Sequence, residues 1–234
     1  MRPSNRIPRN HSTTARIVPL FAILFLIALA ALAAPQDRDH DRDHDRDRDR
    51  GGLRVSDDRI ARDFGGGNGG RPSRDALCDP GFVAIGFHVQ TGEYYNQAWL
   101  ECAPLRPDGW IGEDRRVTER TGSRGGRPIG DAYCPEGMVL RGLRGRTGAS
   151  IDEAAGECSP IREIAERREH PRTEPTQLVA RPQPGGRPAW ASCPEGAVIT
   201  GLRSNSGEYM DHLWILCSEL RMRDHDRDHD RDRN

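Results

Sequence analysis

Sorted into apolar and polar positions, the chain divides into one long apolar run, two stretches almost without apolar residues, and a middle of recurring short apolar bursts. From Ile17 to Ala34 every residue except Pro19 is apolar. Gln36 to Arg50 and Arg223 to Asn234 hold only Asp, Arg and His besides one Gln and one Asn. In between, bursts such as Phe82-Val83-Ala84-Ile85-Gly86-Phe87 and Ala197-Val198-Ile199-Thr200-Gly201-Leu202 have the length and β-branched content of strands. A turn at Gly92, Gly148 or Gly207 follows, and then a second strand over Gln97 to Cys102, Glu153 to Cys158 or His212 to Cys217. The middle copy is weak here, with Ala154-Ala155-Gly156 where its neighbours have Ala98-Trp99-Leu100 and Leu213-Trp214-Ile215, and it is expected to pack less well.

These bursts belong to a repeat. The cysteines, Cys78, Cys102, Cys134, Cys158, Cys193 and Cys217, are spaced 24, 32, 24, 35 and 24 residues apart, and the three windows of 24 align without a gap. Gly-Gly-Arg-Pro precedes each, at Gly69 to Pro72, Gly125 to Pro128 and Gly185 to Pro188. An aliphatic residue stands three places after each second cysteine, at Leu105, Ile161 and Leu220. A unit repeated three times at this length implies an array of one supersecondary structure. The copies run over about 65–121, 122–181 and 182–222. The last is short of a strand, and 51–64 is expected to close it, pairing beside Cys193 to Leu220. Gly86, Gly142 and Gly201 interrupt the first strand at one shared position, which suggests a bulge or a close backbone approach.

Composition sharpens this. All 26 Gly lie in 51–222, which disfavours a helical bundle, since Gly weakens helix interiors. Four Arg before the apolar run and Ala31-Leu32-Ala33 at its end make residues 1–33 a signal peptide, cleaved after Ala33, with an uncleaved anchor as the alternative. The expected location is secreted, periplasmic or otherwise on the cell exterior, with no membrane span after cleavage. Without the leader the chain has 31 Arg against 36 acids, a net charge near −5, which argues against nucleic acid as a partner. Export implies an oxidising compartment, so six cysteines suggest disulfides. Each copy opens one strand and closes the next with Cys, and Cys78–Cys102, Cys134–Cys158 and Cys193–Cys217 is the economical pairing across a hairpin. Residues 34–50 and 223–234 have nothing to bury and are expected to be disordered. Their His40, His44, His225 and His229, flanked by Asp, are weak candidate ligands for a divalent metal. His88 and His212 read as surface or satisfied histidines, and Ile161 to His170 as one or two helical turns on a loop.

A Gly-Gly turn, a strand, then S/T-G-x-Y-x-D and another apolar strand resembles the jacalin-related lectins. Gly-rich triplication with Cys closing a strand is also similar to the vitelline membrane outer layer proteins. Both families imply an all-β, triplicated β-prism of three Greek-key sheets with pseudo-threefold symmetry; paired cysteines in each copy are not typical of the lectins. The likeness covers about Gly65 to Leu220. The lectin resemblance implies a sugar site with Asp211 accepting bonds from sugar hydroxyls and Tyr209 packing on the ring. Backbone N–H groups near Gly207 and in a facing loop at Gly185-Gly186 would donate. The second copy keeps Gly148 and Asp152 but has Ser150 for the Tyr; the first keeps Tyr94 but has Asn96 for the Asp. Charged acceptors make the stronger bonds, so sugar binding is expected chiefly at Asp211 and Tyr209.

Two classes of function fit. One is a secreted carbohydrate-binding module whose partners are glycans or an envelope polysaccharide. The other is a non-enzymatic structural or interaction protein of the cell exterior, in which an Asp after a turn only bonds neighbouring N–H groups. No Ser/His/Asp order, G-x-S-x-G, H-E-x-x-H or phosphate loop is present, so the chain is not read as an enzyme and no cofactor is expected.

Overall fold

The computed structural model describes residues 52–177 and 185–222. The segment expected to be a signal peptide, both Asp/Arg/His stretches and their four candidate histidines lie outside the described residues. Strands β1 (Leu53–Val55), β2 (Ile60–Gly66), β3 (Arg71–Pro72) and β4 (Ala76–Leu77) come first. The first long hairpin joins β5 (Phe82–Thr91) to β6 (Tyr95–Pro104) and is followed by β7 (Arg116–Val117), β8 (Thr121–Gly122) and β9 (Arg127–Tyr133). The second joins β10 (Met138–Thr147) to β11 (Ile151–Pro160), with helix α1 (Ile161–Ala165), β12 (Glu174–Pro175) and β13 (Arg187–Ser192) after it. The third joins β14 (Ala197–Ser206) to β15 (Met210–Met222).

Three antiparallel sheets result. The first holds β5 to β9, the second β10 to β13, and the third β14 and β15 with β1 to β4. Strands β5, β10 and β14 touch one another, so the sheets face a common axis in a β-prism. The third sheet is completed from the N-terminal side: β1 and β2 pair with β15, from Leu53 opposite Met222 to Gly66 opposite His212. The sheets do not follow the repeat as cut by sequence. The strand after each Gly-Gly-Arg pairs with the inner strand of the copy before it, β9 with β5, β13 with β10, and β3 and β4 with β14. The copies placed at 65–121, 122–181 and 182–222 are therefore offset from the physical units, because the Gly-Gly turn ends a sheet rather than starting one.

The glycine at the shared strand position sits at a bulge in all three copies. Register shifts between Ala84 and Gly86, Leu140 and Gly142, and Ile199 and Gly201. An extra residue reverses the alternation of the pleat. Ala84, Phe87 and Val89 thus share the axial core with Leu140, Leu143, Ile199, Leu202 and Leu213. Val83, Val139 and Val198 enter a second cluster instead, capped by Leu53, Ile161, Ile164 and Leu220. The core face of the middle copy is better filled than expected: a Cβ on Gly156 would lie 2.5 Å from Leu140 Cδ2 and 3.0 Å from Thr176 Cγ2, so those side chains take the space that Leu100 and Ile215 fill in the other copies.

The three disulfides are Cys78–Cys102, Cys134–Cys158 and Cys193–Cys217, with Cα atoms 5.6–5.8 Å apart. They do not tie the two strands of one hairpin, as the repeat spacing suggested. Cys78 N–H donates to Thr200, Cys134 N–H to Ile85, and Cys193 N–H to Arg141, each on the inner strand of the preceding sheet. Cys102, Cys158 and Cys217 lie in the following one. Each disulfide joins two sheets, and together they ring the prism.

Candidate functional site

The candidate residues assemble at the tips of the three hairpins, and the same cradle is built three times. A side-chain oxygen on the second strand sits between the hairpin turn and the Gly-Gly loop that ends the same sheet. Asp211 lies between Gly207 and Gly69-Gly70, Asn96 between Gly92 and Gly125-Gly126, and Asp152 between Gly148 and Gly185-Gly186. The second glycine of each pair has positive φ, 74° at Gly70, 76° at Gly126 and 65° at Gly186. A Cβ there would lie 2.5 Å from Asp211 Oδ2, 2.8 Å from Asn96 Oδ1, or in hard contact with Asp152 Oδ2. Only glycine allows both the backbone turn and the close approach of the oxygen.

This geometry corrects one expectation. The Gly185-Gly186 loop faces Asp152, not Asp211; the partner loop of Asp211 is Gly69-Gly70. The cause is the offset described above, since each loop closes the sheet of the copy before it.

The three cradles differ in what occupies them. Asp211 Oδ2 accepts from Gly207 N–H at 2.6 Å, so this carboxylate is engaged within its own turn. The Tyr209 ring meets Tyr94 with centroids 4.7 Å apart and planes at 58°. Beside them Asn96 Nδ2 donates to Glu208 O at 3.3 Å and Ser123 Oγ donates to the same carbonyl at 2.9 Å. The first and third hairpin tips are thus locked together, and the two tyrosines expected to pack on sugars pack on each other.

The second cradle is open. A cavity of about 700 Å³ lies against its glycine wall, lined in part by Phe64, Thr147, Gly148, Gly186 and Trp190 but not by Asp152 itself. Asp152 is buried, and burial raises its pKa while Arg146 works against that shift. Among the described residues its Oδ2 has no hydrogen-bond partner, and neither has Asn96 Oδ1 in the first cradle. A buried acceptor without a donor costs about 1–3 kcal/mol.

Two loop-holding residues were missed in the sequence. Gln90 Nε2 donates to Gly125 O at 2.6 Å and Gly126 O at 2.9 Å. Arg146 donates to Gly185 O at 2.6 Å and Gly186 O at 2.7 Å. Both stand twelve places after the first cysteine of their windows, so the alignment of copies held the signal. His212 is satisfied at both ring nitrogens, by Gly67 O at 2.9 Å and Asp63 Oδ1 at 2.7 Å, whereas His88 has Asp131 Oδ1 at 2.7 Å from Nδ1 but only Glu101 Oε2, at 3.7 Å, near its buried Nε2. Among the described residues no cluster of His, Cys, Asp and Glu is arranged for a metal, and no helix is long and apolar enough to cross a membrane.

No family model matches the chain, and no curated protein matches it. Among solved structures it is similar to Malaysian banana lectin, with a TM-score of 0.44 and 15% identity over 68% of this chain and 98% of that one. It is similar to AcmJRL, a mannose-binding jacalin-related lectin from Ananas comosus, with a TM-score of 0.45 and 14% identity over 68% and 96% of the two chains. It is also similar to artocarpin complexed with methyl-α-mannose, with a TM-score of 0.46 and 13% identity over 70% and 99%.

Proposed function

We propose that the chain is a secreted, non-enzymatic carbohydrate-binding module of lectin type, working on the cell exterior, with glycans or an envelope polysaccharide as its partners. One observation carries the reading: the glycine-walled cradle around a carboxylate or amide recurs at all three hairpin tips, and in two of them an acceptor oxygen lacks a donor among the described residues. Sugar hydroxyls are donors of the right kind, and a glycine wall lets them approach the backbone. Asp152 with Gly148 and Gly186 forms the open site. Asp211, Gly207 and Tyr209 form a second, which a ligand enters only by parting the Tyr94–Tyr209 pair.

A structural reading is favoured at the third tip by the bond from Gly207 N–H to Asp211 Oδ2. The test is a glycan array followed by titration calorimetry with Asp152→Asn and Asp211→Asn. Binding that weakens about tenfold or more in Asp152→Asn supports the sugar site. An array without any bound glycan leaves the prism as an exterior scaffold.

A further inference from the structure

The three copies serve as controls for one another on their outer faces. In the first sheet, Asp131, His88 and Trp99 lie in one row across β9, β5 and β6. There Trp99 is covered by the parallel His88 ring at 5.5 Å and the Arg120 guanidinium at 4.4 Å. In the third sheet the same row holds Asp75, Arg203 and Trp214; Asp75 binds Arg203 through two bonds, and His212 stacks on Trp214 at 4.1 Å. In the second sheet the row is Trp190, Arg144 and Ala155. The tryptophan has moved to the edge strand in place of the aspartate. It is 73% exposed, and no ring or cation among the described residues covers it. With the aspartate gone, Arg144 is exposed and has no ion pair among the described residues.

This bare tryptophan stands on the wall of the open cavity over Gly148 and Gly186. Arg187, the residue after the Gly-Gly loop, lines the same cavity and has no acidic partner among the described residues. Many other exposed arginines of this chain do, as Arg115, Arg116, Arg167 and Arg203 show. The positions matching Trp190 elsewhere are Asp75 and Asp131, so a negative charge has been replaced by a ring beside two unpaired guanidinium groups.

We infer that the second cradle binds an anionic oligosaccharide, with a pyranose ring stacked on Trp190 and the carboxylate or sulfate of that or the adjoining sugar held by Arg187, Arg144 assisting. This rests on the sugar-binding reading and names its ligand class. A pyranose has an apolar face of C–H groups that packs on an aromatic ring, and an exposed indole left bare gains from being covered. A guanidinium presents paired donors that match a carboxylate or sulfate. The hydroxyls of the ring then reach the cradle of Asp152, Gly148 and Gly186. The first and third tips carry Arg127 and Arg71 at the matching loop position but have no such platform, because Asp131 and Asp75 stand where Trp190 stands.

The test uses the purified full chain and three tetrasaccharides of equal length, one of galacturonate, one heparin-derived and one of neutral mannose, titrated by calorimetry and by tryptophan fluorescence. Expected are binding of at least one acidic oligomer about tenfold or more above the neutral one, and a shift in emission that disappears in Trp190→Phe. Arg187→Ala is expected to lower acidic binding about tenfold and leave any neutral binding in place; Trp190→Ala is expected to weaken both. Arg71→Ala, in the third cradle, is expected to change nothing. Which acidic oligomer binds distinguishes uronate from sulfate. If neutral and acidic oligomers bind alike and Arg187→Ala has no effect, the anionic assignment is overturned while the sugar reading stands. If acidic oligomers bind and neither Arg187→Ala nor Trp190→Ala weakens them, the site lies elsewhere and the inference falls. If no oligosaccharide binds, both fail.

Discussion

Single atoms separate the three cradles from one another. Asp152 Oδ2 is a buried carboxylate oxygen without a donor among the described residues, whereas Asp211 Oδ2 takes a bond from Gly207. Burial disfavours the charged form, which raises the Asp152 pKa above its ordinary value of 3.8. A raised acid binds its proton more readily folded than unfolded. Its stabilising contribution is therefore present below 3.8 and lost as pH rises through the folded-state value. Asp152→Asn removes that charge, so at neutral pH the variant is expected to be more stable than the parent. The gain should shrink to nothing near about pH 3, where the aspartate is already protonated. Thermal melts from acid to neutral pH decide it; a variant that is less stable at neutral pH shows that the carboxylate holds the turn. These residues were legible in the sequence as a set, since Gly-x-x-x-Asp or Asn recurs at a fixed offset from each cysteine. Which of them is free was not legible. That depends on the Tyr94–Tyr209 contact between copies 115 residues apart, and no spacing rule reports it.

Elements show the same division between local and long-range information. The hairpins, the bulge at Gly86, Gly142 and Gly201, and the turn glycines follow from local pattern, because alternation and φ preference act over a few residues. The helix over Ile161–Ala165 falls where one or two charged helical turns were expected, and it packs Ile161, Ile164 and Ala165 against the second cluster. Pairing of the Gly-Gly-Arg strand with the preceding copy was not legible, since a repeat read off the sequence has no natural origin and the chain can be cut at any phase. The cradle makes that pairing testable. Gly186→Ala forces a side chain into positive φ and onto the Asp152 carboxylate. A strained backbone of this kind costs about 1–3 kcal/mol. The loss should be the same size in Gly70→Ala, which meets Asp211 and the Ser206 backbone. Gly81, with φ of 80° but nothing within 4 Å, is the control: Gly81→Ala should cost only the backbone share, about 1 kcal/mol. Equal losses at all three positions would mean that the oxygen is not packed against the loop.

At the scale of the molecule, the prism is a ring that must close. Two devices close it, and they act on different joints. The disulfides join the third sheet to the first, the first to the second and the second to the third, each across a loop of 24 residues in sequence. On the chain-entropy account each contributes ~3 kcal/mol. Replacing Cys134 and Cys158 together by Ala should therefore lower stability by about that amount and leave a folded prism, since the axial core is shared by all three sheets. The second device is β1 with β2, which completes the third sheet on β15 and carries Phe64, 3% exposed, into the axial core. Its absence does more. It uncovers the length of β15 from His212 to Met222, an unpaired edge of the kind that invites aggregation. It also removes Phe64, and emptying a buried Phe site costs about 3–5 kcal/mol by itself. Against a typical total of about 5–15 kcal/mol, losing the edge pairing as well leaves little margin. A chain beginning after Gly66 is thus expected to show no cooperative melt and to aggregate, whereas the Cys134/Cys158 double variant melts cooperatively at a lower temperature. Calorimetry and light scattering on the two variants distinguish them. If the shortened chain melts cooperatively and stays monomeric, β1 and β2 decorate the third sheet rather than close it, and the three hairpins with their disulfides hold the prism alone.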